Sequence, residues 1–261
     1  MIALITNLPN NNHFLKRKLE TTNSTDLLVA TGGNTGNVAF VHAVQSILAE
    51  DYQVIDWGAN PDIIREKYTK IVVCCANQIG SHVDLKGWGE RLEAFGLPVV
   101  LIGLGAQSNQ IGVMPEVPQG TVDFLNIVQD LRTDPKESNI VTRGEFSSWV
   151  LKELGFDSNP FGCPSLLTSK VKNLGQLCLA NQNRKYKRIM VPSGNPFHPS
   201  SIIEQSLVDV VNEYDGEYVL QHPQIIFSLL LDDKPNITER QKELLKTVYN
   251  GFESLDDLRF W

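Results

Sequence analysis

A chain of 261 residues with 42% hydrophobic and 20% charged residues can bury a substantial core, as one large domain or two small ones. Its formal charge of -7 argues against non-specific nucleic-acid binding, which needs a basic face, but leaves room for a small anion in a local basic pocket. Cys74, Cys75, Cys163 and Cys178 form no CxxC pair and no Cys/His cluster with zinc spacing, so reduced thiols and no structural metal are expected.

The start, MIALITNLPNNN, lacks the basic flank and long apolar core of a signal peptide. No apolar run approaches the roughly 18 residues of a membrane span, so a cytoplasmic protein with no integral membrane segment is expected. Strand-length apolar runs then recur: DLLVA (26–30), YQVIDW (52–57), KIVVCCA (70–76), LPVVLIGLG (97–105) and NIVTR (139–143). Between them lie helix-compatible stretches at 37–50, 84–95, 122–131 and 145–156. Short buried strands alternating with amphipathic helices predict an α/β fold, a doubly wound Rossmann-like domain over residues 1–180. On such a strand the adjacent Cys74 and Cys75 would face opposite sides of the sheet.

The polar stretch 172–187 reads as a linker, after which the alternation restarts. Strand 188–194, helix 201–214, strand 217–222 and helix 238–252 predict the opening of a second Rossmann-like domain over 187–261. Two strands make a poor parallel sheet, so this second domain is expected to be partial, in an apparently truncated two-lobed architecture.

The stretch ATGGNTGNVAF (30–40) is glycine- and asparagine-rich and stands between a predicted strand and a predicted helix. Such a turn lets the backbone approach a ligand and offers helix N–H groups to an anion, which makes Gly33, Asn34, Gly36 and Asn37 candidate binding residues. The alternative is that the glycines only make a turn and Asn37 only caps the helix. A dinucleotide fingerprint fails at its first glycine, where Thr31 stands, although Asp56 lies where a ribose-binding acid would fall. A P-loop is excluded because Gly36 is followed by Asn37 and Val38. Asp56 and His42 read as structural.

Asn77 and Gln107 each follow a buried strand, and ligands of open α/β sheets bind at strand carboxyl ends. Arg143 stands between a predicted strand and helix, where it could grip a phosphate or carboxylate, with Ser147 in the helix's first turn. The stretches GGNTGNVAFVHA (32–43), the strand ending in Asn77, GLGAQS (103–108), TRGEFSSWVLKELG (142–155) and GCPSLL (162–167) together resemble the polysaccharide pyruvyltransferase family. The resemblance spans about residues 26–196.

It implies a two-lobed, glycosyltransferase-like (GT-B-like) architecture and transfer of pyruvate from phosphoenolpyruvate to a sugar hydroxyl as a ketal, in surface polysaccharide biosynthesis. No cofactor or metal is required; phosphoenolpyruvate is the donor substrate and a saccharide the acceptor. Such a reaction needs a proton for the methylene carbon and clamps for the donor's phosphate and carboxylate. Arg143 is the expected anion clamp and His222 a catalytic candidate from the second domain, with His198 behind it. Gly33, Asn34, Gly36, Asn37, Asn77, Gln107 and Ser147 are the expected substrate contacts. The family's late Arg-(Leu/Ile)-His motif has no counterpart before Trp261. A non-catalytic sugar- or phosphate-binding homologue and a nucleotide-sugar glycosyltransferase therefore stay open. The oligomeric state is not legible.

Overall fold

The structure, a computed structural model, describes residues 1–6, 8, 23–110, 112–185, 189–193, 202–219 and 223. The chain divides into two compact units, Met1–Asn12 with Gly36–Lys170, and His13–Thr35 with Val171–Trp261. Its described helices are α1 (Ser24–Ala30), α2 (Thr35–Ile47), α3 (Pro61–Lys67), α4 (Lys86–Phe95), α5 (Gln119–Asp130), α6 (Glu145–Glu153), α7 (Leu174–Asn181) and α8 (Ile202–Glu213). No helix among the described residues is long and apolar enough to cross a membrane.

The first unit is built on a seven-stranded sheet in which every pairing is parallel. Its strands are β1 (Ile2–Ile5), β2 (Tyr52–Ile55), β3 (Lys70–Cys74), β4 (Asn77–Ile79), β5 (Val99–Ala106), β6 (Ile140–Thr142) and β7 (Asn159–Pro160). They lie in the order β2-β1-β3-β5-β6-β7, with β4 on β5 continuing the line of β3 after a break at Cys75 and Ala76. Counting β3 and β4 together, the order is 2-1-3-4-5-6, the doubly wound 2-1-3-4-5 order with one strand added at its end, Rossmann-like in the broad sense.

The order explains the layers. A right-handed crossover places its helix on a face set by the direction of travel, and travel reverses after β2. Helix α2, with Phe40, Val41 and Val44, accordingly packs on one face against Ile2, Leu4, Val72 and Cys74. Helices α3 to α6 cover the other face, where Ile64, Leu92, Phe95, Phe124, Leu125, Val150 and Leu151 meet Ala3, Ile5, Ile71, Val73 and Cys75. The alternation of Ile2/Leu4 with Ala3/Ile5, and of Cys74 with Cys75, is the period of two that a strand buried on both sides requires. Fully buried rings such as Phe95 and Phe124 contribute about 1.5–3 kcal/mol each.

Three local outcomes differ from the sequence reading. Residues 26–30 are not a strand but most of α1: Asn23 caps it by accepting the Asp26 N–H at 2.8 Å, and a four-residue apolar run carries no period to oppose that signal. The first strand is instead IALI, fully buried at the start of the chain. The stretch 172–187 is no simple linker, since Leu174–Asn181 is helical; that helix buries none of its residues, which is why its sequence shows no core-facing stripe.

The second unit contains α1, α7 and a parallel pair, β8 (Met190–Pro192) and β9 (Glu217–Val219), joined through α8. The Ser193 N–H donates to the Val219 carbonyl at 2.8 Å and the Glu217 N–H to that of Ile189 at 2.9 Å, extending this ladder at both ends. The helix expected at 238–252 and the terminal Phe260 and Trp261 lie outside the described residues.

Candidate functional site

The carboxyl edge of the sheet in the first unit is irregular, and its irregularities assemble a site. On β5, Ile102 opposes Val141 and Leu104 opposes Thr142, so Gly103 is an extra residue, a bulge. Its φ of 82° lies where L side chains are strained, and a Cβ there would stand 3.0 Å from the Pro164 ring. On the neighbouring line the break after β3 frees the carbonyl of Cys75. Arg143 answers both interruptions. Its Nε donates to the Gly103 carbonyl at 2.8 Å and its Nη2 to the Cys75 carbonyl at 3.2 Å, while its guanidinium lies 4.8 Å from the centre of the Phe40 ring. A guanidinium has five N–H donors, so among the described residues three are left for a ligand.

Asn77 joins the same spot. It is the register partner of Gly105, and a Cβ on Gly105 would fall 2.3 Å from the Asn77 Oδ1 and 3.4 Å from the Arg143 Cδ. Asn77 and Arg143 thus both flank Gly105, with Asn77 exposed and Arg143 half-buried. Gly36 and Asn37 sit in the first turn of α2, one turn before Phe40 and on its side of the helix. The structure brings these predicted residues to one edge.

Others take different places. Ser147 is buried, and its Oγ accepts the Ala106 N–H at 2.9 Å, tying α6 to the end of β5. Gln107 continues the β4–β5 ladder by donating its N–H to the Ile79 carbonyl at 2.8 Å, and its side chain lines a cavity of about 340 Å³ with Ser81, Asn109 and Glu116. Gly33 and Asn34 follow a helix rather than a strand. The Gly33 N–H donates to Leu28 at 2.9 Å and the Gly32 N–H to Val29 at 3.0 Å, with Gly32 at φ 63°, which is a Schellman stop for α1. This corrects the strand-loop-helix reading of 30–40 and removes the geometric basis of a dinucleotide loop there, because β1 ends at Ile5. His222 and His198 lie outside the described residues.

Sequence reasoning missed His82. Its Nε2 sits 2.7 Å from the Asn77 carbonyl, and a carbonyl only accepts, so Nε2 is the donor of this bond. The signal was present as NQIGSH, a polar run directly after a buried strand. Phe40 and Gly105 were missed because a ring in a helix and a glycine in a strand look like core until a partner reaches them.

Burial pushes the Cys74 thiol up to about 12. The Cys75 thiol is also raised, chiefly by burial and secondly by Cys74, with the Arg143 charge opposing. Neither is a nucleophile at neutral pH. Among the described residues no group of His, Cys, Asp or Glu is arranged to hold a metal ion.

Fold and site define a doubly wound α/β protein whose central strands end, among the described residues, in a polar edge that carries the Arg143 guanidinium. Comparison with family models, with curated proteins and with solved structures returned no match.

Proposed function

We propose that this chain is a polysaccharide pyruvyltransferase-like protein that binds phosphoenolpyruvate at the Asn77–Gly105–Arg143 edge, for transfer of its pyruvyl group to a saccharide hydroxyl as a ketal. The observation that supports this reading is a convergence on Arg143. The five stretches that carry the resemblance supply, in order, Phe40 under the guanidinium, Asn77 against Gly105, the Gly103 carbonyl and Gly105, Arg143 itself, and Pro164 against Gly103.

In this reading Arg143 presents its remaining N–H groups to the donor's carboxylate or phosphate. Its tether to two carbonyls and a ring holds the fork in place before the ligand arrives. Asn77 offers an amide donor beside Gly105, and His82, held through Nε2 to the Asn77 carbonyl, is the group assigned to exchange a proton. Protonation of the donor's methylene carbon makes the central carbon electrophilic, one sugar hydroxyl adds, phosphate departs, and a second hydroxyl closes the ketal. The two-lobed architecture, a cytoplasmic site of action and a role in surface polysaccharide assembly belong to the same proposal.

The test is calorimetric titration with phosphoenolpyruvate and, separately, with a nucleotide-sugar, on the chain and its Asn77→Asp and Arg143→Lys variants. Phosphoenolpyruvate is expected to bind, and a new carboxylate at position 77 to weaken it by about tenfold or more, about 1.4 kcal/mol. Preference for the nucleotide-sugar, or indifference of phosphoenolpyruvate affinity to both variants, would sink the donor assignment.

A further inference from the structure

The cavity beside Gln107 differs chemically from the Arg143 edge. Its walls are Ser81, Gln107, Ser108, Asn109 and Gln110, closed by Val113, Met114, Pro115 and a single acid, Glu116. Among the described residues none of its walls is a cation, so none of them balances a phosphate or carboxylate, and Glu116 repels one. Three carboxamides and two hydroxyls instead offer many paired donors and acceptors of neutral type. Among the described residues the side-chain amides of Gln107, Asn109 and Gln110 form no hydrogen bond, and Glu116 forms no ion pair. Ser108 alone is engaged, accepting the Gln110 N–H at 3.3 Å. The volume of about 340 Å³ falls within the roughly 300–1,000 Å³ of small-ligand sites.

Position gives the cavity its meaning. Gln107 follows β5 two residues after Gly105, and Ser81 follows β4 one residue before His82, whose ring reaches back to the Asn77 carbonyl. The Gln107 carbonyl also lies 2.8 Å from where a Cβ on Gly80 would stand, so the two cavity walls touch through backbone. From these observations we infer that the Gln107 cavity is the subsite for a neutral, polyhydroxylated ligand, a saccharide. The amides of Gln107 and Asn109 hold its hydroxyls, Glu116 accepts from one of them, and Val113 and Met114 meet its C–H face. This inference rests on the reading above in one respect, that the acceptor is a saccharide; the residues involved are different ones.

Saturation-transfer NMR on the full chain separates the two. The probes are neutral methyl glycosides of galactose, glucose and N-acetylglucosamine, each with and without inorganic phosphate. Transfer to at least one glycoside is expected, unaffected by phosphate and largely lost in Gln107→Ala and Glu116→Gln, with Asn109→Ala on an exposed loop as the variant least able to disturb the fold. Circular dichroism melts check that each variant is folded. Absence of transfer to all three glycosides, transfer indifferent to the variants, or displacement by phosphate would overturn the subsite. Glycoside binding without any phosphoenolpyruvate binding would leave the subsite standing and remove the donor assignment alone.

Discussion

Two glycines on one strand do opposite work. Gly105 makes room for a neighbour's side chain: the atom its Cβ would strike is the tip of Asn77, which is exposed and can swing away. Gly105→Ala should therefore cost little stability, within about 1 kcal/mol in urea melts, yet evict the Asn77 amide and abolish phosphoenolpyruvate binding in calorimetry. Gly103 carries the backbone of a bulge at φ 82°, and its Cβ would press on the Pro164 ring and the Cys75 carbonyl at 3.3 Å. Gly103→Ala should destabilise by about 1–3 kcal/mol, since neither obstacle is flexible and the backbone itself resists. If the two variants showed the same balance of stability and binding, the division between site and scaffold on β5 would be wrong.

Helix ends show how an element's punctuation can be taken for a ligand loop. Helix α1 stops on Gly32 in the left-handed region, and α8 stops in the same way: the Gly216 N–H donates to Val211 at 2.8 Å while Asp215 takes φ 46°. One stop uses the residue best suited to that conformation and the other does not. Gly32→Ala should lower the protection of the Leu28 to Gly33 amides in hydrogen exchange by about 1 kcal/mol. Asp215→Gly should raise that of the Asp215 and Gly216 amides by a similar amount, about 0.5–1 kcal/mol. Equal and negligible effects would mean that the capping bonds are not what ends these helices.

Thiol burial links the core to pH. An unfolded cysteine ionises near pH 8.5, while the folded Cys74 holds its proton until about 12 and Cys75 is raised as well. Above the unfolded value the unfolded chain binds fewer protons than the folded one, so stability present below about pH 8.5 is lost as pH rises toward the folded pKa. Each thiol contributes a slope of about 1.4 kcal/mol per pH unit in that window. Urea midpoints between about pH 8 and about pH 11 should fall, and Cys74→Ala should remove about one thiol's share of the slope. In the native state Cys178, exposed, and Cys163, half-buried, should react with a thiol reagent while Cys74 and Cys75 wait for unfolding. Rapid modification of all four would contradict the packing of β3.

Sequence alone was sufficient for the α/β class, for the helices α2, α4, α5, α6 and α8 to within a few residues, for β2, β3, β5 and β6, and for the opposed faces of Cys74 and Cys75. These follow from hydrophobic period and length, which are local. It also placed Asn77, Gln107 and Arg143 at strand ends. Local signals could not say that IALI is a central strand while DLLVA is helical, because both are short apolar runs that differ in caps and partners. They could not say that the glycines at 32 and 33 end a helix, since a Schellman stop and a ligand turn use the same residues. Least of all could they say that Arg143 spends two donors on the Gly103 and Cys75 carbonyls over the Phe40 ring, or that Gln107 lines a different cavity with no cation among its described walls. Those facts depend on a bulge in one strand and a break in another falling side by side. Strand order brings them together, and strand order is a property of the assembled sheet.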